Sequence, residues 1–182
     1  MQKLLSKFIE SAKELKRLRA LTLSAMMAAL FVAVSFLDIY IPGTQNMSRI
    51  SFAFIAMALT AKLCGPIPAA LVGAVGDILQ NLLFPKGPLN PGITLCAFLI
   101  GLIFGIAFYK EKTGIVRCII AMCPVSILVE TLLKTYVLKV TFHWRFSEAL
   151  ILRAPGIAVS FVIMIVICYL VFKTVDRFNL KV

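Results

Sequence analysis

Acidic residues are scarce: 8 Asp and Glu stand against 19 Lys and Arg in 182 residues. There is one histidine and one tryptophan, and the five cysteines (Cys64, Cys96, Cys118, Cys123, Cys168) form no CxxC pair. Each shortage excludes a class of protein. A lone histidine, His143, cannot build a zinc site without other ligands. No Ser, Cys or His constellation offers a nucleophile with its base, so the chain reads as no enzyme and calls for neither metal nor organic cofactor. An odd cysteine count without close pairs excludes a disulfide framework and fits small apolar side chains in a core. No GxxxxGK[ST] loop is present, so the chain cannot hydrolyse ATP by itself. Charged residues make up 15% and apolar ones 61%, against about 25% and about 45–50% in soluble domains. A chain this small cannot bury that much apolar surface in water. The excess of basic residues flanks apolar runs, so the expected surroundings are a lipid bilayer and no nucleic-acid partner.

What the sequence has in abundance is apolar segments of membrane length. The pattern predicts an all-α integral membrane bundle of six transmembrane helices, at about 20–37, 50–64, 66–84, 91–109, 115–140 and 149–172. The second is short for a span. Together they form a membrane domain over 20–175, followed by a cytoplasmic tail at 176–182. Residues 1–19 carry six basic and two acidic side chains, with Leu4, Leu5, Phe8, Ile9, Ala12 and Leu15 at helical spacing. They read as a short cytoplasmic amphipathic helix lying on the membrane, and not as a signal peptide.

Loop charges set the orientation. With the N-terminus inside, the cytoplasmic side holds Lys3, Lys7, Lys13, Lys16, Arg17, Arg19, Lys62, Lys110, Lys112, Arg117, Lys173, Arg177 and Lys181, 13 of the 19 basic residues. The outer side holds Arg49, Lys86, Lys139, Arg145 and Arg153. The asymmetry predicts a multi-pass protein of the cell membrane with both termini cytoplasmic.

Several features go beyond what a bundle needs. Ala25, Ala29 and Ala33 stack on one face of the first span, where small residues admit another helix backbone. That helix is either a neighbour in the bundle or a partner's. Gly101 and Gly105, and the stripe Ala69, Gly73 and Gly76, favour packing within the bundle. The outer segment from Phe84 to Gly92 holds three prolines and two glycines in nine residues, which suits a lid over a site or a tight turn. Ionisable groups at membrane depth are costly and normally face a cavity or a partner. Asp77 lies about eleven residues into its span, at or beyond the midplane. Gln80 and Asn81 follow one turn later. Glu130 and Lys134 are four apart and can pair, as a structural ion pair or as part of a site. Arg153 opens the outer end of the last span, before Pro155, where a kink would open the packing. The outer half is net basic against the positive-inside trend, which points to an anionic ligand from outside. Arginine forks suit its carboxylates, Asp77 suits N–H donors of a heterocycle, and Phe52, Phe84, Phe98, Tyr136 and Trp144 offer stacking faces.

Six short spans with the Ala25, Ala29 and Ala33 face and no ATPase resemble the substrate-binding S components of energy-coupling-factor (ECF) vitamin transporters. The run Gly73-Ala74-Val75-Gly76-Asp77, through Phe84-Pro85-Lys86-Gly87-Pro88, to Pro91-Gly92-Ile93-Thr94 is similar to the folate-specific branch. The resemblance covers most of residues 18–175. It implies a protein that captures folate outside with high affinity. It also implies delivery inward with a transmembrane coupling subunit and two cytoplasmic ATPases. The alanine face would meet the coupling subunit. The first and third loops, with Gly43, Pro85, Gly87, Pro88, Pro91 and Gly92, would gate the pocket. Asp77 and Asn81 are assigned to ring donors, and Arg49, Lys134 and Arg153 to carboxylates or ring oxygens. Asn90, Phe98 and Tyr136 complete the substrate set. Two other readings stay open: an S component for another vitamin of the riboflavin kind, and a ligand-free membrane scaffold.

Overall fold

A computed structural model describes residues 10–11, 17–40, 49–84, 90–109, 111, 114–142 and 146–177. The first helix, α1 (Leu18–Val34), tightens into a 3-10 turn over Ser35–Leu37. Two short strands follow, β1 (Ile39–Tyr40) and β2 (Arg49–Ile50), paired antiparallel with Ile39 opposite Ile50 and Tyr40 opposite Arg49. Then come α2 (Phe54–Cys64), α3 (Pro66–Leu83) and α4 (Pro91–Phe108). The next span begins as α5 (Ile115–Pro124), widens into a π-helix over Val125–Leu133 and closes as α6 (Lys134–Phe142). The last helix is α7 (Phe146–Arg177), which runs through Pro155.

Among the described residues, five segments are long and apolar enough to cross a bilayer: Leu18–Leu37, Pro66–Leu83, Pro91–Phe108, Ile115–Val140 and Arg153–Val175. The second expected span is different. With 11 residues, α2 rises about 16 Å, roughly half of a hydrocarbon core. It is set inside the bundle, where Ala56, Ala58, Ala61 and Cys64 are buried. Before it in the chain come the β1–β2 ladder and the turn at Phe52–Ala53. The sequence reading contained no strand at all, because two residues leave no periodicity to see.

Small residues decide how close the helices come. A side chain added at Gly73 would strike the Ala97 carbonyl oxygen at 2.6 Å, and one at Gly76 would strike Phe31 of α1 at 2.6 Å. At Gly101 the obstacle is the backbone of Ala69 and Ala70, and at Gly105 it is Pro66. Gly73, Gly101 and Gly105 therefore seat α4 on α3, and Gly76 seats α3 on α1, as intramolecular packing requires.

The corner between α2 and α3 is made by one residue. Gly65 has φ 95° and ψ −171°, a conformation essentially reserved for glycine. Pro66 then starts α3 at the position where a missing N–H costs nothing. Ser11, fully buried, spans this corner. Its Oγ donates to the Cys64 carbonyl and accepts from the Ile67 N–H, both at 3.2 Å. The sequence placed this segment on the membrane surface. Ser11 is instead packed into the protein, and the rest of that expected surface helix up to residue 16, apart from Glu10, lies outside the described residues. Ser11→Ala should lower unfolding stability by about 1–2 kcal/mol, because two buried backbone groups lose their partner. Thermal unfolding in detergent checks this, and an unchanged midpoint would mean the two bonds contribute nothing.

Candidate binding site

The π-helix is where the site begins. Pro124 has no N–H to give to the helical ladder, and the chain beyond it adopts the wider turn. The Thr131 hydroxyl donates to the Ser126 carbonyl, five residues back, at 2.7 Å. Single π segments are rare and cluster at functional sites. This one carries Glu130.

Around Glu130 the structure assembles two cations. Lys134 Nζ donates to both carboxylate oxygens, at 2.8 and 3.1 Å. Arg153 reaches in from α7, only 2% exposed. Its Nη2 donates to Glu130 Oε2 at 3.3 Å, and its Nη1 donates to the Thr135 hydroxyl at 2.9 Å and to the Glu130 carbonyl at 3.3 Å. Among the described residues, two cations and one anion leave the cluster at +1. Uncompensated charge at this depth is unfavourable and favours a further anion.

A second polar centre lies on α3. Asp77 is 5% exposed, and its Oδ2 accepts from the Thr94 hydroxyl of α4 at 2.8 Å. Gln80, three residues on, is also buried. α4 packs against α3, against the π-helix that carries Glu130 and against α6. It thus links the helix of the buried carboxylate to the segment of the Glu130–Lys134 pair.

The expected site residues divide accordingly. Lys134 and Arg153 converge on Glu130, and Asp77 is buried on α3 against Thr94 of α4. Arg49 is placed by its backbone in β2, which lies against α7, the helix of Arg153. Asn81 is half-buried and its Nδ2 donates to the Asp77 carbonyl at 3.0 Å, a bond within its own helix. Asn90 serves as the cap of α4, its Oδ1 accepting from Gly92 N–H at 3.0 Å. Phe98 is half-buried and stands one turn beyond Thr94, on the face of α4 that meets Asp77. Tyr136 is 57% exposed, next to the fully buried Thr135 that meets Arg153. Phe84 packs edge-on against Phe36, ring centroids 4.1 Å apart. Pro91 and Gly92 open α4, while Gly43, Pro85, Gly87 and Pro88 lie outside the described residues, as do Trp144 and His143. Thr94 and Thr135 were missed. A threonine in an apolar span carries no signal until its neighbour across the helix interface is known.

The alanine face is turned outward. Ala25, Ala29 and Ala33 are exposed on α1, while Ala28, Phe31 and Val32 make its buried side. The bundle leaves that face unused, unlike the glycines of α3 and α4.

Comparison with known proteins gives a consistent set of likenesses. The description of the S component of ECF-type riboflavin transporters matches residues 16–177. The folate transporter FolT of Clostridium novyi (strain NT) is 32% identical over 167 residues, 91% of this chain and 95% of the relative. The folate transporter FolT of Leuconostoc mesenteroides is 32% identical over 126 residues, 69% of this chain and 66% of the relative. The crystal structure of FolT bound with folic acid superposes with a TM-score of 0.79 at 28% identity, over 87% of this chain and 95% of the other. The S component of a bacterial ECF transporter shares the fold, with a TM-score of 0.70 at 21% identity over 88% and 96% of the two chains.

Proposed function

We propose a substrate and partners for this chain, which belongs to the S components of ECF-type transporters. It is a multi-pass membrane protein and a transport component, not an enzyme. The substrate is folate, captured from outside and delivered inward. One observation carries this reading: α4 packs both against α3, where its Thr94 holds Asp77, and against the π-helix and α6, which bring Glu130 and Lys134. Folate has N–H donors on a pterin ring at one end and two carboxylates at the other, so one ligand answers both halves of the site. The likeness to FolT of Clostridium novyi supports it.

The riboflavin named in the family description is the competing substrate. Its pyrimidinedione edge presents carbonyl, N–H, carbonyl, which would set a carbonyl against the Asp77 carboxylate. Its ribityl chain is uncharged and makes no use of two buried cations. The pterin edge offers two adjacent N–H donors, the better match to an acceptor-only group. Titration of the purified chain in detergent with folate and with riboflavin decides between them. Nanomolar binding of folate alone is expected, and binding of riboflavin alone would overturn the substrate.

The partners are a transmembrane coupling subunit and two cytoplasmic ATPases, since the sequence has no nucleotide loop of its own. The exposed Ala25, Ala29 and Ala33 face is their docking surface on α1. Both termini are cytoplasmic, which puts the Gly65 corner inside and the β1–β2 ladder outside. The proline- and glycine-rich connections gate the outer mouth, with Arg49 at the rim. Ala29→Trp should cut co-purification with the coupling subunit about fivefold and leave folate affinity unchanged. Full retention of the complex would remove this face from the interface.

A further inference from the structure

Buried N–H donors without a partner are rare in native proteins, and each calls for an explanation. Among the described residues, two side-chain donors are in that state: Arg153 Nε and Gln80 Nε2. Arg153 belongs to the cation pair already described. Gln80 stands on α3 with 2% of its surface exposed, three residues beyond Asp77 and about 60° around the helix from it. Its neighbour Asn81 is engaged within the helix. One face of α3 therefore presents a carboxylate acceptor and, one turn outward, an amide donor with nothing to donate to.

We propose that Gln80 is a specificity-determining residue, donating its side-chain N–H to the ring carbonyl of a 2-amino-4-oxo pteridine. The inference rests on the folate reading and adds the group that reads the ring oxygen. The edge of such a ring runs amino N–H, ring N–H, carbonyl oxygen. Asp77 is acceptor-only when ionised and takes the two donors. Gln80 Nε2 then supplies the donor for the oxygen beside them. A 4-amino pteridine replaces that oxygen with an NH₂, which sets donor against donor at Gln80, and it also lacks the ring N–H, so its bare ring nitrogen faces the Asp77 carboxylate. A site that leaves its own buried polar group unpaired rejects such an analogue strongly.

The test is a binding matrix on the purified full chain, by calorimetry. The ligands are folate, its 4-amino-4-deoxy analogue and riboflavin, and the proteins are the native chain, Gln80→Leu and Gln80→Glu. The native chain should prefer folate to the 4-amino analogue by tenfold or more. Gln80→Leu should weaken folate about tenfold while changing the analogue less than twofold. Gln80→Glu keeps the side-chain volume, so it guards against misfolding of the leucine variant. Its carboxylate accepts from the 4-amino group and repels the 4-oxo oxygen, so the preference for folate should shrink by tenfold or more relative to the native chain, while the mismatch at Asp77 stays common to all three proteins. Equal losses for both ligands in both variants, or no loss in either, would overturn the assignment of Gln80. The native row judges the substrate separately: no binding of either pteridine there would sink the folate reading, and the inference with it.

Discussion

Arg153→Ala should weaken folate binding by about a hundredfold or more, in calorimetric titration of the purified chain. The guanidinium is 2% exposed, and its Nε has no partner among the described residues. Each charge-assisted hydrogen bond to a ligand carboxylate contributes about 1.5–3 kcal/mol. Two of them in a fork give at least about 3 kcal/mol, which is a factor of more than about a hundred. Alanine also strips the Thr135 hydroxyl and the Glu130 carbonyl of their donor. Part of the effect will then fall on stability, which thermal unfolding measures independently. Arg153→Lys separates the two roles. Lysine restores the charge but not the planar fork, so it should recover only about tenfold of the loss. If Arg153→Ala lowered the unfolding midpoint while the folded fraction bound folate as before, Arg153 would be a structural partner of Glu130 and no part of the pocket.

How much of this was legible beforehand depends on the kind of signal. Length and hydropathy of single segments are local properties, so the long spans could be read directly. The 11-residue α2 could not be sized, because apolar residues continue on both sides of it and the strand pair before it is too short to leave a pattern. Asp77, Lys134 and Arg153 stood out because an ionisable group in an apolar run is exceptional wherever it sits. Gln80 and Asn81 did not separate, because both lie one turn from Asp77, about 60° to one side and 40° to the other. Only burial and the local bond of Asn81 distinguish them. The π-helix has a sequence cause in Pro124, but a proline within a span equally permits a kink. Ser11 was invisible for a different reason: it bonds 53 and 56 residues away, to backbone groups that every residue possesses.

Gly101→Val should cost about 3 kcal/mol or more of unfolding stability and should damage the site without touching it. Even one added carbon at position 101 would overlap the backbone at Ala69 and Ala70. Backbone cannot rotate aside as a long side chain can, so α4 must move away from α3. Overpacking in a tight core costs about 1–3 kcal/mol, and a branched side chain against backbone belongs at or above the top of that range. In a membrane the loss has little to offset it, because close packing is the main attraction between helices. The same displacement acts on Thr94 and Cys96, which α4 carries. Thr94 lies seven residues from Gly101, about 10 Å along the helix, and holds Asp77 at 2.8 Å. Folate affinity should fall with the loss of that contact. Gly114→Ala is the matched control, because a side chain there meets nothing within 4 Å. Unfolding midpoints in detergent with and without folate check both parts. A Gly101→Val chain that unfolds where the native chain does would show that α3 and α4 are not in the tight contact described. One that loses stability yet binds folate fully would mean that the Thr94–Asp77 bond does not position the carboxylate for the ligand.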